Sequence, residues 1–161
     1  MTKKKIIDKS SALLNCAELC SRAEHCEFEI RSKLFNWGLE ADFHDEIIDY
    51  LFDHNFIDHE RFAKAFTNDK VRFSAWGKIK IELALRQKRI PSYAISQAIA
   101  QIDEKQYISN LAAIISTKAK RFDLKDFNQR NTVYRQIAAK GYEPSMIVRE
   151  INNYISANES V

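Results

Sequence analysis

One pattern, repeated three times at almost constant spacing, constrains this chain more than any other feature. The first copy runs Ile30-Arg31-Ser32-Lys33-Leu34-Phe35-Asn36-Trp37-Gly38-Leu39 and continues to Ile48. The second runs Ile81-Glu82-Leu83-Ala84-Leu85-Arg86-Gln87-Lys88-Arg89-Ile90 and continues to Ile99. The third runs Val133-Tyr134-Arg135-Gln136-Ile137-Ala138-Ala139-Lys140-Gly141-Tyr142 and continues to Ile151. Gly38 and Arg89 lie 51 positions apart, Arg89 and Gly141 52. Each copy has an apolar pair four apart (Ile30/Leu34, Ile81/Leu85, Val133/Ile137), a turn residue, an apolar residue after it, and a further one nine later. Self-similarity at a fixed period is the mark of a repeat array. Such arrays build extended surfaces suited to binding.

The rest of the chain agrees with helices. It holds three glycines and two prolines, too few turn formers for an all-β protein. The periodicity predicts an all-α, elongated tandem array of three three-helix units, with nine helices and no sheet. The expected boundaries are a flexible N-terminal tail over 1–10, a first unit over 11–55, a second over 56–103, a third over 104–156, and a C-terminal tail over 157–161. Gly38 and Gly141 suit left-handed helix ends. Asp42 and Asp58 read as N-caps. Pro91 and Pro144 fall near first helical turns, where a missing N–H costs little. In the helix over 78–88, Ile79, Ile81, Leu83 and Leu85 are expected to face the core, leaving Lys88 as a solvated cation.

Charge is strongly segregated. Residues 22–60 carry three cations against eleven carboxylates, a net of −8. Residues 61–90 carry nine cations against Asp69 and Glu82, a net of +7. Residues 118–141 carry seven against Asp123 and Asp126, a net of +5. Asymmetry of this kind points to an anionic partner, either nucleic acid or an acidic protein surface. The candidate partner-binding residues are Lys70, Arg72, Lys78, Lys80, Arg86, Lys88 and Arg89, with Trp76 and Phe73 beside them for stacking. A solvated helix face accounts for the same charges without a partner. The third unit's Lys118, Lys120, Arg121, Arg130 and Arg135 are the alternative surface.

Catalytic signatures are missing. Three glycines cannot write a phosphate-cradling or dinucleotide fingerprint, and no Gly-x-Ser-x-Gly elbow occurs. His25, His44, His54 and His59 lie near Cys16, Cys20 and Cys26, yet without Cys-x-x-Cys or paired-histidine spacing. Core and surface roles are the simpler reading, so no catalytic residue, metal or cofactor is expected. No run of 18 apolar residues exists, and the basic start lacks an apolar segment behind it. The expected setting is the cytoplasm, with the three thiols reduced.

Three blocks resemble the bacterial regulatory protein RecX family. The first is Ser21-Arg22-Ala23-Glu24-His25-Cys26-Glu27-Phe28-Glu29-Ile30-Arg31-Ser32-Lys33-Leu34. The second, Phe56-Ile57-Asp58-His59-Glu60-Arg61-Phe62-Ala63-Lys64-Ala65-Phe66, is similar to the family's Ile-Asp-Asp-Glu-Arg-Phe-Ala stretch. The third is Trp76-Gly77-Lys78-Ile79-Lys80-Ile81-Glu82-Leu83-Ala84-Leu85-Arg86-Gln87-Lys88. Two positions depart from the family pattern. Cys26 stands where a serine or threonine is usual, weakening a capping box with Glu29, and Arg89 stands where a glycine is customary. The resemblance implies a monomeric, non-enzymatic modulator of the RecA recombinase. It would bind the RecA–DNA filament, limit its growth, ATP hydrolysis and strand exchange, and so act in DNA repair, recombination and the SOS response. A stand-alone nucleic-acid-binding helical repeat protein is the other open reading.

Overall fold

The structure, a computed structural model, describes residues 6–159. Among the described residues there are nine α-helices and no strand. They are α1 (Lys9–Arg22), α2 (Glu27–Asn36), α3 (His44–Asp53), α4 (His59–Ser74), α5 (Lys78–Gln87), α6 (Ser92–Ala100), α7 (Glu104–Ala119), α8 (Phe127–Ala139) and α9 (Pro144–Ala157), with a 3-10 turn at Ala41–Phe43 before α3. In chain order they form three triplets. The middle helix of each ends in a left-handed residue: Gly38 (φ 78°), Arg89 (φ 58°) and Gly141 (φ 94°). After α2 and α5 the next amide reaches back five residues, Leu39 to the Leu34 carbonyl and Ile90 to the Leu85 carbonyl, each at 3.1 Å. That bond closes a Schellman turn and satisfies an orphan carbonyl.

By compactness the chain falls into two bodies, Met1–Ala65 with Leu85–Gln97, and Phe66–Ala84 with Ala98–Val161. In the first, Ala12 and Cys16 of α1, Ile30 and Leu34 of α2, and Ile47, Ile48 and Leu51 of α3 build one core with Leu39 and Ile57. Asp8 caps α1 by accepting from the Ser11 N–H at 3.0 Å, and the Ile7 N–H donates to the Trp37 carbonyl. The helix therefore begins at Lys9. The first half of the expected N-terminal tail, residues 1–5, lies outside the described residues, as do residues 160–161 of the expected C-terminal tail.

In the second body Tyr107, Leu111 and Ile115 of α7, Val133 and Ile137 of α8, and Ile147 and Ile151 of α9 enclose Leu124 and Tyr142. The start of α5 is laid on the α8–α9 turn. The Gly77 N–H donates to the Lys140 carbonyl (2.8 Å) and the Ile79 N–H to the Gly141 carbonyl (3.0 Å). A Cβ at Gly77 would overlap the Gly141 backbone, so this approach needs glycine. The buried Tyr107 hydroxyl accepts from the Lys78 N–H (2.9 Å) and donates to Glu143 (2.7 Å).

Several local expectations need correction. Asp42 does not cap α3; it lies in the 3-10 turn, and α3 starts at His44 with no side-chain cap. Asp58 does cap α4, accepting from the Arg61 N–H at 2.7 Å. Ile99 is half-buried, and the neighbouring Ala98 takes the inward position in α6. On α5, Ile81 and Leu85 are fully buried, but Ile79 and Leu83 point outward, 49% and 56% exposed. Cys26 still completes a capping box, since its N–H donates to the Glu29 carboxylate at 3.4 Å and its thiol faces the Glu29 N–H.

Candidate partner-binding surface

The seven cations read from the sequence meet different surroundings. Lys70, Arg72, Lys78 and Lys80 belong to the second body, and Arg86, Lys88 and Arg89 to the first. Lys70 near the end of α4 and Lys80 in the first turn of α5 flank the connecting residue Trp76. Their ammonium groups stand 4.6 and 4.4 Å from the Trp76 ring centroid. Lys70 also lies 5.3 Å from the Phe66 ring, and that ring meets Trp76 edge-on. Cation–π attraction holds both ammoniums at the indole. Neither pairs with a carboxylate among the described residues, so their charge is available to a partner. Arg72 lies over Phe73, which is 74% exposed.

Several of the predicted cations are already engaged, Arg86 among them. Lys78 pairs with Glu104 at 2.9 Å and lies over the Tyr107 ring. Lys88 is not a solvated cation: its ammonium donates to Glu29 at 2.7 Å, and both side chains are about a quarter exposed (28% and 27%). Glu29 also takes the His25 Nδ1 contact at 3.0 Å. Burial pushes the Glu29 carboxyl up, but the Lys88 ammonium, His25 and the Cys26 N–H outweigh it, and the group lies below the usual carboxylate range. Arg89 extends over the Phe28 ring, 5.5 Å away.

Sequence reading missed the outward ridge of α5. Its signal was present, because Ile79, Ile81, Leu83 and Leu85 alternate at spacing two in a helix. Residues two apart lie about 200° around a helix, so such a run makes two apolar lines on opposite sides. One line meets the core; the other cannot.

The thiols are chemically quiet. Burial pushes Cys16 up to about 12 and Cys20 to about 11, and it also raises Cys26. They pack as small hydrophobes. Among the described residues no group of three His, Cys, Asp or Glu side chains is arranged to hold a metal, and no helix is long and apolar enough to cross a membrane.

Comparison with known proteins meets this geometry at its centre. Residues 58–99, which contain Lys70, Trp76, Lys80 and the α5 ridge, match the family model described as RecX, second three-helix domain. Over these residues the chain is similar to the RecX family. The regulatory protein RecX of Clostridium botulinum (strain Alaska E43 / Type E3) is 26% identical over 94% of this chain and 76% of its own length. The RecX of Vibrio campbellii is 29% identical over 78% of this chain and 79% of its own. In fold, the crystal structure of RecX from Lactobacillus salivarius superposes with a TM-score of 0.77 at 20% identity, over 90% of this chain and 95% of that one. A second RecX crystal structure gives 0.76 at 19% identity, over 86% and 68%.

Proposed function

We propose that this chain is a modulator of the RecA recombinase, most simply an inhibitor, that acts by binding the RecA–DNA filament. Similarity to proteins named regulatory protein RecX supports this reading. The observation that carries it is the match over 58–99, which coincides with the chain's most cationic stretch and with the lysine-flanked Trp76. On this reading the protein works as a monomer in the cytoplasm, without catalysis or a cofactor, and its output is a change in filament growth and strand exchange. The test is the single-strand-DNA-dependent ATPase of the cognate RecA, titrated with the purified chain. Inhibition saturating at or below one chain per RecA protomer is expected. An unchanged rate at saturating chain, at low and moderate salt, would overturn the proposal.

One observation favours the second reading, a stand-alone nucleic-acid binder. Two ammoniums held at one indole, neither paired with a carboxylate among the described residues, provide phosphate attraction beside an aromatic ring. A pull-down against RecA with and without DNA separates the two. Retention on DNA alone, with no gain from RecA, would favour the second.

A further inference from the structure

We infer that the outward ridge of α5, Ile79 and Leu83, is a docking contact for an acidic amphipathic helix on the surface of a protein partner. The inference rests on the filament-binding reading above, because the RecA filament supplies the partner. Ile79 and Leu83 are one helical turn apart on the side opposite the buried Ile81 and Leu85, and about half of each remains in solvent. Apolar side chains stand on two opposite sides of α5, and a protein core lies behind only one of them.

The chemistry of the ridge selects its occupant. Branched aliphatic side chains offer no π face for a base and no donor for a phosphate, so a nucleic-acid backbone gains nothing from them. Two apolar knobs at i and i+4 instead match the ridges-into-grooves packing of another helix. Around the helix Lys80 flanks the ridge on one side and Glu82 with Arg86 on the other, and Lys80 and Lys70 hold their ammoniums at Trp76 with no carboxylate partner among the described residues. With two cations to one carboxylate the border is net positive, which fits a helix whose own apolar line is bordered by Asp and Glu. The Trp76 lysines then serve the protein partner, steering its approach rather than gripping phosphate.

The test is co-sedimentation of the whole chain with cognate RecA filaments on single-stranded DNA, at two salt concentrations. Three forms are compared: wild type, Ile79→Gln/Leu83→Gln, and Lys70→Gln/Lys80→Gln. Gln keeps helix propensity, and circular dichroism with thermal melting checks folding. The ridge variant is expected to bind about tenfold or more weakly with its salt dependence intact. The lysine variant is expected to bind more weakly with a shallower salt dependence. A folded ridge variant that pellets like wild type overturns the inference. So does a ridge variant that loses single-stranded DNA alone in parallel with the filament, which would make the ridge a nucleic-acid surface. Wild-type self-association abolished by the ridge changes would assign it to a second copy of the chain and overturn the inference as well. A wild type that stays in the supernatant overturns the RecA reading and the partner named here together, whereas failure confined to the ridge comparison leaves the RecA reading standing.

Discussion

Helices α5 and α8 are built alike on the inside and differently on the outside. Each buries an apolar pair four apart, Ile81/Leu85 and Val133/Ile137, all at 0% exposure. Each ends in a left-handed residue, Arg89 or Gly141. On the outer face, in register, α5 carries Ile79 and Leu83 where α8 carries Asn131 and Arg135. The core dictates the first set of positions. It does not ask for the second, so what stands there reports on something other than folding. In α8 the two positions are polar, with Asn131 partly covered; in α5 they are apolar, and the partner contact proposed above would account for them.

The shared inner face should give the largest and most equal effects. Leu85→Ala and Ile137→Ala are each expected to cost about 2–5 kcal/mol by chemical denaturation, because each removes a fully buried branched side chain and leaves a cavity. A cost below about 1 kcal/mol for either would break the equivalence of the two helices.

The lysine before each turn sharpens the comparison. Lys88 pairs with the largely buried Glu29, whereas Lys140 donates to the Ser74 carbonyl at 3.3 Å. Lys88→Ala should cost about 1–2 kcal/mol, between the values for exposed and buried pairs. Lys140→Ala should cost less, within about 1 kcal/mol for a single hydrogen bond. Acid dependence gives an independent reading. The folded-state Glu29 carboxyl lies below its ordinary value of 4.5. Its stabilisation is complete above that pH and is lost as pH falls through the lower, folded-state value. Lys88→Ala should flatten this acid limb in urea titrations between about pH 5 and 3, and Lys140→Ala should leave it unchanged.

The turns provide the smallest effect. Arg89 holds a left-handed conformation that a side chain disfavours. Arg89→Gly should raise stability by about 0.5–1 kcal/mol, less whatever the Arg89–Phe28 contact contributes. A loss of stability would mean that this contact outweighs the backbone strain.

How much of this was legible in the sequence follows from the range of the interactions. Position 89 was legible as a turn from its spacing to Gly38 and Gly141, but its left-handed conformation was not, because an arginine stands where a glycine is customary. The apolar pairs were legible for the same reason. Ile79 and Leu83 were not, because alternation along a helix marks two apolar lines without saying which one meets a core. The Lys88–Glu29 pair joins residues 59 apart, beyond any local pattern. Asp42 had the chemistry of a cap, but the 3-10 turn moved the start of α3 past it. At the candidate surface the cations were legible as charge; that Lys70 and Lys80 share one indole while Lys78 is taken by Glu104 depends on packing.

The most direct test of the account uses RecA's own activity and the contrast between the two helices. The single-strand-DNA-dependent ATPase of cognate RecA is titrated with wild type, with Ile79→Gln/Leu83→Gln on α5, and with Asn131→Gln/Arg135→Gln on α8. The account predicts saturable inhibition by wild type and by the α8 variant at matching concentrations, with the α5 variant shifted about tenfold or more to higher concentration. Equal inhibition by all three would remove the outer face of α5 from the interaction, and no inhibition by any of them would contradict the assignment as a RecA inhibitor.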